Sequence, residues 1–234
     1  MNMKREVLAE WLDELPAADR EARGSRVDLR RLNGLMGHAS ILARALSRLR
    51  LGLHPSAAIR LVELGAGDGD LLLRVARRLG SGWRGTCALL LDRQPVVPGA
   101  TLEGFARLGW TAHTIQADVF DWLQQPNSGG DIILANLFLH HFTDSSLQSL
   151  LDKVALRATC FIAVEPRRSP VALWFSRRLG WIGCNRVTRH DAPVSVRAGF
   201  SGRQLTRLWP REPGWSPQEG PAGWFSHRFV TCRI

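Results

Sequence analysis

The chain has 234 residues, 45% hydrophobic and 22% charged, the make-up of a folded globular protein long enough to bury one sizeable core. No stretch approaches the roughly 18 apolar residues that cross a bilayer. Cys87, Cys160, Cys184 and Cys232 show none of the short paired spacings of a zinc site or a disulfide scaffold, so reduced, mostly buried thiols and no metal are expected. The net charge of +10 comes almost wholly from arginine and would attract anions, but its runs ("DLRRLNG", "RVARRLG", "EPRRS", "FSRRLG") are spread along the chain and read first as solvated helix faces.

The N-terminal stretch "MNMKREVLAEWLDELPAADREARG" mixes acids with bases and lacks an apolar secretory core, which points to the cytoplasm. Residues 7–50 read as helical, with apolar spacing of three and four in "LMGHASILARALSRL" and turns at Pro16 and Gly24. From there strands and helices alternate: strand 59–64, helix 71–79, strand 86–91, helix "LEGFARLG", strands "HTIQAD" and "DIILAN", helix "SLQSLLDKVALRA" and strand "CFIAVE". Ser145 and Gln148 have capping-box spacing at the start of that last helix. Residues 169–209 are less regular, and "GWSPQEGPAGWFSHRFVTCRI" reads as an antiparallel hairpin.

Such alternation predicts an α/β fold with a doubly wound, mostly parallel sheet, whose ligands bind at the carboxyl ends of the strands. Residues 1–55 form a helical cap in this reading, and 56–234 the binding domain. Function should therefore follow the strands, at 65–70, 92–94, 118–120, 136–141 and 165–168.

The first of these turns, "ELGAGDG", places Gly65, Gly67 and Gly69 at alternate positions, so the backbone can turn sharply and approach a ligand. The dinucleotide fingerprint asks for glycine where Asp70 stands, and Asp68 and Asp70 would repel a pyrophosphate. A ligand carrying positive charge suits the turn better. With Glu63 ahead of it, Asp92 ending "ALLLDRQ", Asp118 in "IQADVF" and the segment "DIILANLFLHHF", the region 59–165 resembles the class I S-adenosylmethionine (SAM) dependent methyltransferases. Within them it is similar to the small-molecule branch near the quinone C-methyltransferases.

That resemblance implies a seven-stranded sheet, SAM as cofactor and, at about 169–209, an insertion that sets substrate specificity. It implies Glu63, Gly65, Ala66 and Gly67 at the methionine end, with Asn136 and Leu137 beside the sulfonium. Asp92 would hold both ribose hydroxyls through charge-assisted hydrogen bonds, Arg93 or Gln94 would cover the ribose or adenine, and Asp118 and Val119 would meet the adenine edge. Asp118 also reads as a helix cap.

Methyl transfer from a sulfonium is an in-line displacement in which positioning supplies much of the rate, and a base is needed only where the acceptor must lose a proton. His140, His141 and His190 are the candidates. Adjacent His140 and His141 point in different directions, so at most one of them reaches the acceptor, and His190 with Asp191 could orient a phenolic oxygen. Arg167 and Arg168 could bind an anionic group or be solvated.

"ANLF" in place of a [DN]-P-P-[YFW] motif speaks against a nucleic acid substrate, and apolar groups such as Leu35, Met36, Trp174 and Trp181 are consistent with a lid over an apolar or aromatic acceptor, a polyketide phenol or quinone precursor. "WFSRRLGW" could rest on the inner face of the membrane to collect it. An RNA methyltransferase using the basic surface and a SAM-binding protein without turnover stand as alternatives.

Overall fold

The computed structural model describes residues 3–50 and 58–233. The boundary expected near residue 55 falls outside them. Three N-terminal helices, α1 (Trp11–Glu14), α2 (Arg20–Leu35) and α3 (His38–Arg50), precede the sheet. There follow β1 (Arg60–Leu64), α4 (Asp70–Leu79), β2 (Cys87–Asp92), α5 (Gly99–Arg107), β3 (Thr111–Gln116), α6 (Val119–Gln124), β4 (Gly130–Asn136), α7 (Asp144–Arg157) and β5 (Ala158–Pro166). The chain ends through α8 (Pro170–Ser176), α9 (Arg186–Ala198), α10 (Gln204–Leu208), β6 (Gln218–Ala222) and β7 (Ser226–Cys232).

The seven strands form one sheet in the order β3-β2-β1-β4-β5-β7-β6. The first five run parallel, and β7 pairs antiparallel with both β5 and β6. The central strands carry near-continuous apolar runs because helices cover both faces. Successive side chains leave on opposite sides. Leu61 belongs to the core cluster of Leu72, Val75 and Phe105, while the next residue, Val62, belongs to the other, with Trp122, Leu150 and Trp209.

Side-chain caps fix where several helices begin. The Asp19 carboxylate accepts from the Glu21 and Ala22 amides, Ser169 accepts from Ala172 with Pro170 at the first helical position, and Asn185 accepts from Thr188. Helix α7 is capped by Thr143, which accepts from the Ser146 amide, two residues before the Ser145 position that capping-box spacing suggests.

Two further expectations are corrected. The stretch 169–209, read as less regular, holds the 13-residue helix α9, which carries His190, Asp191 and, in its interior, Pro193; proline has no N–H to donate there and so masks the helical signal. Packing recovers it. Asp28 of α2 accepts the Asn185 amide at 2.7 Å and lies 3.1 Å from Thr188 Oγ1, which fastens the start of α9 to the N-terminal helices. The second correction concerns the thiols. Cys160 and Cys232 are direct partners in the β5–β7 register and are joined as a disulfide, whereas Cys87 and Cys184 are free. A separation of 72 residues gave no hint of it, because only the antiparallel return of β7 brings the two together. No helix among the described residues is long and apolar enough to cross a membrane.

Candidate functional site

At the carboxyl ends of the strands lie two cavities that share part of their lining. The smaller, about 430 Å³, is polar and sits over the glycine turn, with Glu63, Gly67, Asp68, Asp92 and Asn136 in its wall. The larger, about 760 Å³, is mainly apolar and extends beneath the N-terminal helices and α8, with Leu32, Met36, Phe142, Trp174 and Trp181 in its wall. Gly65, Asp92, Arg93 and Leu137 line both.

In the turn, Gly65, Gly67 and Gly69 all have positive φ, at 67°, 54° and 71°. A Cβ at Gly65 would collide with the Phe138 ring, while one at Gly67 would meet nothing within 4 Å, so that backbone is bare toward the pocket. The Ala66 amide donates to the Leu91 carbonyl at 3.0 Å, which ties the turn to β2. Asp92, at the end of β2, accepts the Gly67 amide at 2.8 Å on one oxygen and the Gln94 amide at 2.9 Å on the other. Each oxygen keeps a second lone pair for a ligand.

Helix α2 lies across this pocket. Arg30 pairs with Asp68, and Arg26 donates to the Gln94 side chain at 2.6 Å. Glu63 is buried without such a partner: its Oε2 has no hydrogen bond. Burial first, and then the negative charges of Asp68, Asp92 and Asp70, push its carboxyl well above the usual range. A group bearing a cationic centre and hydrogen-bond donors would relieve both the crowding of acids and the orphaned oxygen, so these residues fit SAM. They do not fit a pyrophosphate.

Asn136 ends β4 in the same pocket, with Nδ2 3.4 Å from Asn33 Oδ1. Leu137, next to it, is the one non-glycine residue with positive φ among the described residues, at 51°. Its strain is held from both sides: its amide donates to the Val164 carbonyl at 2.9 Å, and Glu165 accepts the Phe138 and Leu139 amides at 3.0 and 2.8 Å. Asp118 caps α6 by accepting the Phe120 amide at 2.8 Å, and with Val119 it faces the larger cavity.

The three histidines have different surroundings. His140 is buried between two carboxylates, Nδ1 at 2.8 Å from Glu165 and Nε2 at 3.3 Å from Glu10. Burial opposes its charge, but the hydrogen bonds and charges of Glu10 and Glu165 win and raise its pKa to about 9. His141 also lines the larger cavity and holds Asp13 at 3.0 Å through Nδ1. His190 is a correction: it lines neither cavity, because its ring stacks on Trp11 at 3.8 Å and its Nδ1 is bound to Asp191 at 2.8 Å. Asp191 in turn accepts the Trp11 and Leu12 amides, so this pair anchors α1.

Arg168 is structural too, donating to the Met3 and Gly199 carbonyls and to Gln204, while Arg167 donates to the Gly223 carbonyl. Three acids join the site without having been assigned a role in it: Glu10, Asp13 and Glu165. Glu165 ends a strand, a position that singles out the right region. Glu10 and Asp13 sit on a short N-terminal element, and nothing in their spacing connects them to His140 and His141.

No family model matches the sequence, and no curated protein does. Solved structures do match. The plantazolicin methyltransferase BpumL in complex with SAH (S-adenosylhomocysteine) is 11% identical, with a TM-score of 0.67, over 93% of this chain and 92% of that one. The mitomycin 7-O-methyltransferase MmcR is 18% identical, with a TM-score of 0.61, over 95% of this chain and 60% of its own. The CurJ carbon methyltransferase is 17% identical, with a TM-score of 0.57, over 84% and 54%. The architecture is therefore an α/β Rossmann-like methyltransferase fold, a seven-stranded sheet with β7 antiparallel.

Proposed function

We propose that the protein is a SAM-dependent methyltransferase acting on oxygen or carbon of an apolar or aromatic small molecule, of the kind of a polyketide phenol or quinone precursor. The observation that carries this reading is the shared wall: an acid-flanked polar pocket opens at Gly65, Asp92 and Leu137 into an apolar cavity large enough for an acceptor. Similarity of fold to SAM-dependent methyltransferases supports it.

When bound, SAM would supply an electrophilic methyl group. Around it, Glu63, Gly65, Ala66 and Gly67 would hold the amino acid end, Asp92 the ribose hydroxyls, Arg93 and Gln94 the edge of the nucleoside, and Asp118 with Val119 the adenine. Asn136 and Leu137 stand where the pocket gives onto the acceptor. The rigid loop kept in place by Glu165 fixes their position, which is what an in-line displacement requires of the protein.

Among the histidines, His141 is best placed to take a proton from the acceptor. Asp13 binds Nδ1, which favours the tautomer with the Nδ1 proton and leaves the Nε2 lone pair available to the cavity. His140, with both nitrogens facing carboxylates, holds its proton at neutral pH and acts as a positioning residue.

Calorimetric titration with SAM and SAH tests the cofactor half directly. Micromolar binding that disappears in Asp92→Ala is expected. A wild-type protein that binds neither compound would overturn the reading.

A further inference from the structure

The rim of the apolar cavity is itself an exposed apolar surface. Trp181 is 81% exposed, Leu35 75% and Ile182 56%, and Trp174 and Phe175 are about half exposed; all five also line the cavity. The surface continues past Phe175, whose ring meets Phe225 at 5.3 Å, to Trp224 at the β6–β7 turn, 71% exposed. A group of aromatic side chains this large, gathered at one opening, marks an interaction site and not ordinary surface scatter.

Its charge is one-sided. From residue 166 to 190 the chain has no aspartate or glutamate and six arginines. Arg168 is used inside the fold, but Arg177, just past α8, and Arg189, packed beside Gly180, are exposed, and exposed Arg186 lies over Trp11. Arg178 lies over the Trp174 ring at 3.6 Å and within 5.5 Å of Trp181, so even among the aromatics the charge is cationic. Tryptophans with arginines beside them suit the boundary between lipid headgroups and acyl chains, where the rings sit at the interface and the guanidiniums reach phosphate.

We infer that this face, built from α8, the 179–182 turn, the end of α2 and the β6–β7 turn, docks on an anionic phospholipid bilayer, so that the apolar cavity opens toward the lipid. The inference rests on the proposed methyltransferase reading in one respect: it makes the acceptor a molecule that partitions into the bilayer and enters from it. Arginines facing the headgroups and a cavity mouth ringed by tryptophan favour the bilayer over a second copy of this chain, whose own arginines at the same face would repel.

The test is flotation of the full chain with vesicles of equal parts phosphatidylglycerol and phosphatidylcholine, against vesicles of phosphatidylcholine alone, with SAM affinity measured in parallel by calorimetry. The wild type should float with the anionic vesicles and bind them at least about tenfold more tightly, an advantage that salt diminishes. Arg177→Glu with Arg189→Glu should weaken binding by about fivefold or more for each charge reversed. Trp181→Ser with Trp224→Ser should abolish it. The arginine variant changes exposed side chains that line neither the pocket nor the cavity, so its SAM affinity should stay at the wild-type value.

Wild-type protein that binds SAM but stays unbound to anionic vesicles at low salt would overturn the inference. So would vesicle binding unchanged in the tryptophan variant, or a dimer in sedimentation that the same variant dissociates, which would assign the face to a second copy. Loss of SAM binding by the wild type would instead remove the methyltransferase reading and leave the vesicle result to stand or fall by itself.

Discussion

The pocket beside Glu63 and the cavity beneath Trp181 meet along Gly65, Asp92, Arg93 and Leu137, yet they are built by different means. The pocket is made mostly of strand ends and the turns that follow them, held by backbone hydrogen bonds such as Gly67 to Asp92. The cavity is made mostly of helices from opposite ends of the chain, α1 and α2 with α8 and α9, that reach one another over the carboxyl ends of the strands. One region is fixed by the topology of the fold, and the other is assembled by packing. In the proposed reading, a cofactor site fixed by topology stands beside an acceptor site assembled by packing, an arrangement in which one sheet architecture can serve different acceptors.

The loop between them, Leu137 to His141, belongs to both, and Glu165 beneath it accepts from Phe138, Leu139 and His140. Replacing Glu165 by alanine should have the largest effect on the protein, about 3 to 5 kcal/mol of stability, because it strands a buried histidinium and two amides. Denaturant unfolding checks this. The pH dependence has a definite sign. His140 is raised from 6.5 to about 9 on folding, so its contribution is complete below pH 6.5 and is lost as the pH rises toward 9. Glu10 and Glu165 are lowered from 4.5, burial being outweighed by their bonds to His140, so their contribution is present above 4.5 and is lost in acid. Stability supplied by this cluster should therefore peak between pH 4.5 and 6.5, and the alkaline decline should be shallower in Glu165→Ala.

On the pocket side alone, Asp92→Ala should weaken SAM by roughly 100-fold or more, since it removes charge-assisted bonds to the ligand and leaves the Gly67 and Gln94 amides without their acceptor. On the cavity side alone, His141→Ala should lower kcat for a phenolic acceptor by about 100-fold while the Kd for SAM holds. Equal loss of SAM affinity in both variants would dissolve the distinction between the two regions. Titrations in buffers of different ionisation enthalpy sharpen it further: burial and its acidic neighbours raise the Glu63 carboxyl well above its usual range, and a cationic cofactor would lower it again, so binding should release protons and SAM affinity should rise with pH. The smallest change expected is Arg30→Ala, which removes the partly exposed pair with Asp68 and should alter SAM affinity by less than about 1 kcal/mol.

The same contrast explains what could be read from the chain. Glu63, Asp92, Asp118 and Asn136 each stand near or just past the end of a strand, so once the alternation of strands and helices is recognised their neighbourhood follows. Local order along the chain is enough for that. The cavity offers no such shortcut. Glu10 meets His140, Asp13 meets His141, and Thr188 meets Asp28 only because helices from opposite ends of the chain pack together. His190 shows the cost of reading chemistry from adjacency: a neighbouring histidine and aspartate look like a dyad, but on α9 they brace Trp11 and the start of α1. The Cys160–Cys232 bond likewise depends on strand register, which spacing along the chain does not reveal.

A crystal structure of the protein with SAH would probe the junction of the two regions most directly. The ribose hydroxyls should lie on Asp92, the amino group near Glu63, and the sulfur at Leu137 with its open side facing the cavity lined by His141 and Trp174. SAH bound elsewhere, or with its sulfur turned away from that cavity, would contradict the assignment of the pocket, with the adjoining cavity edge at Asp118 and Val119, to cofactor and of the rest of the cavity to acceptor.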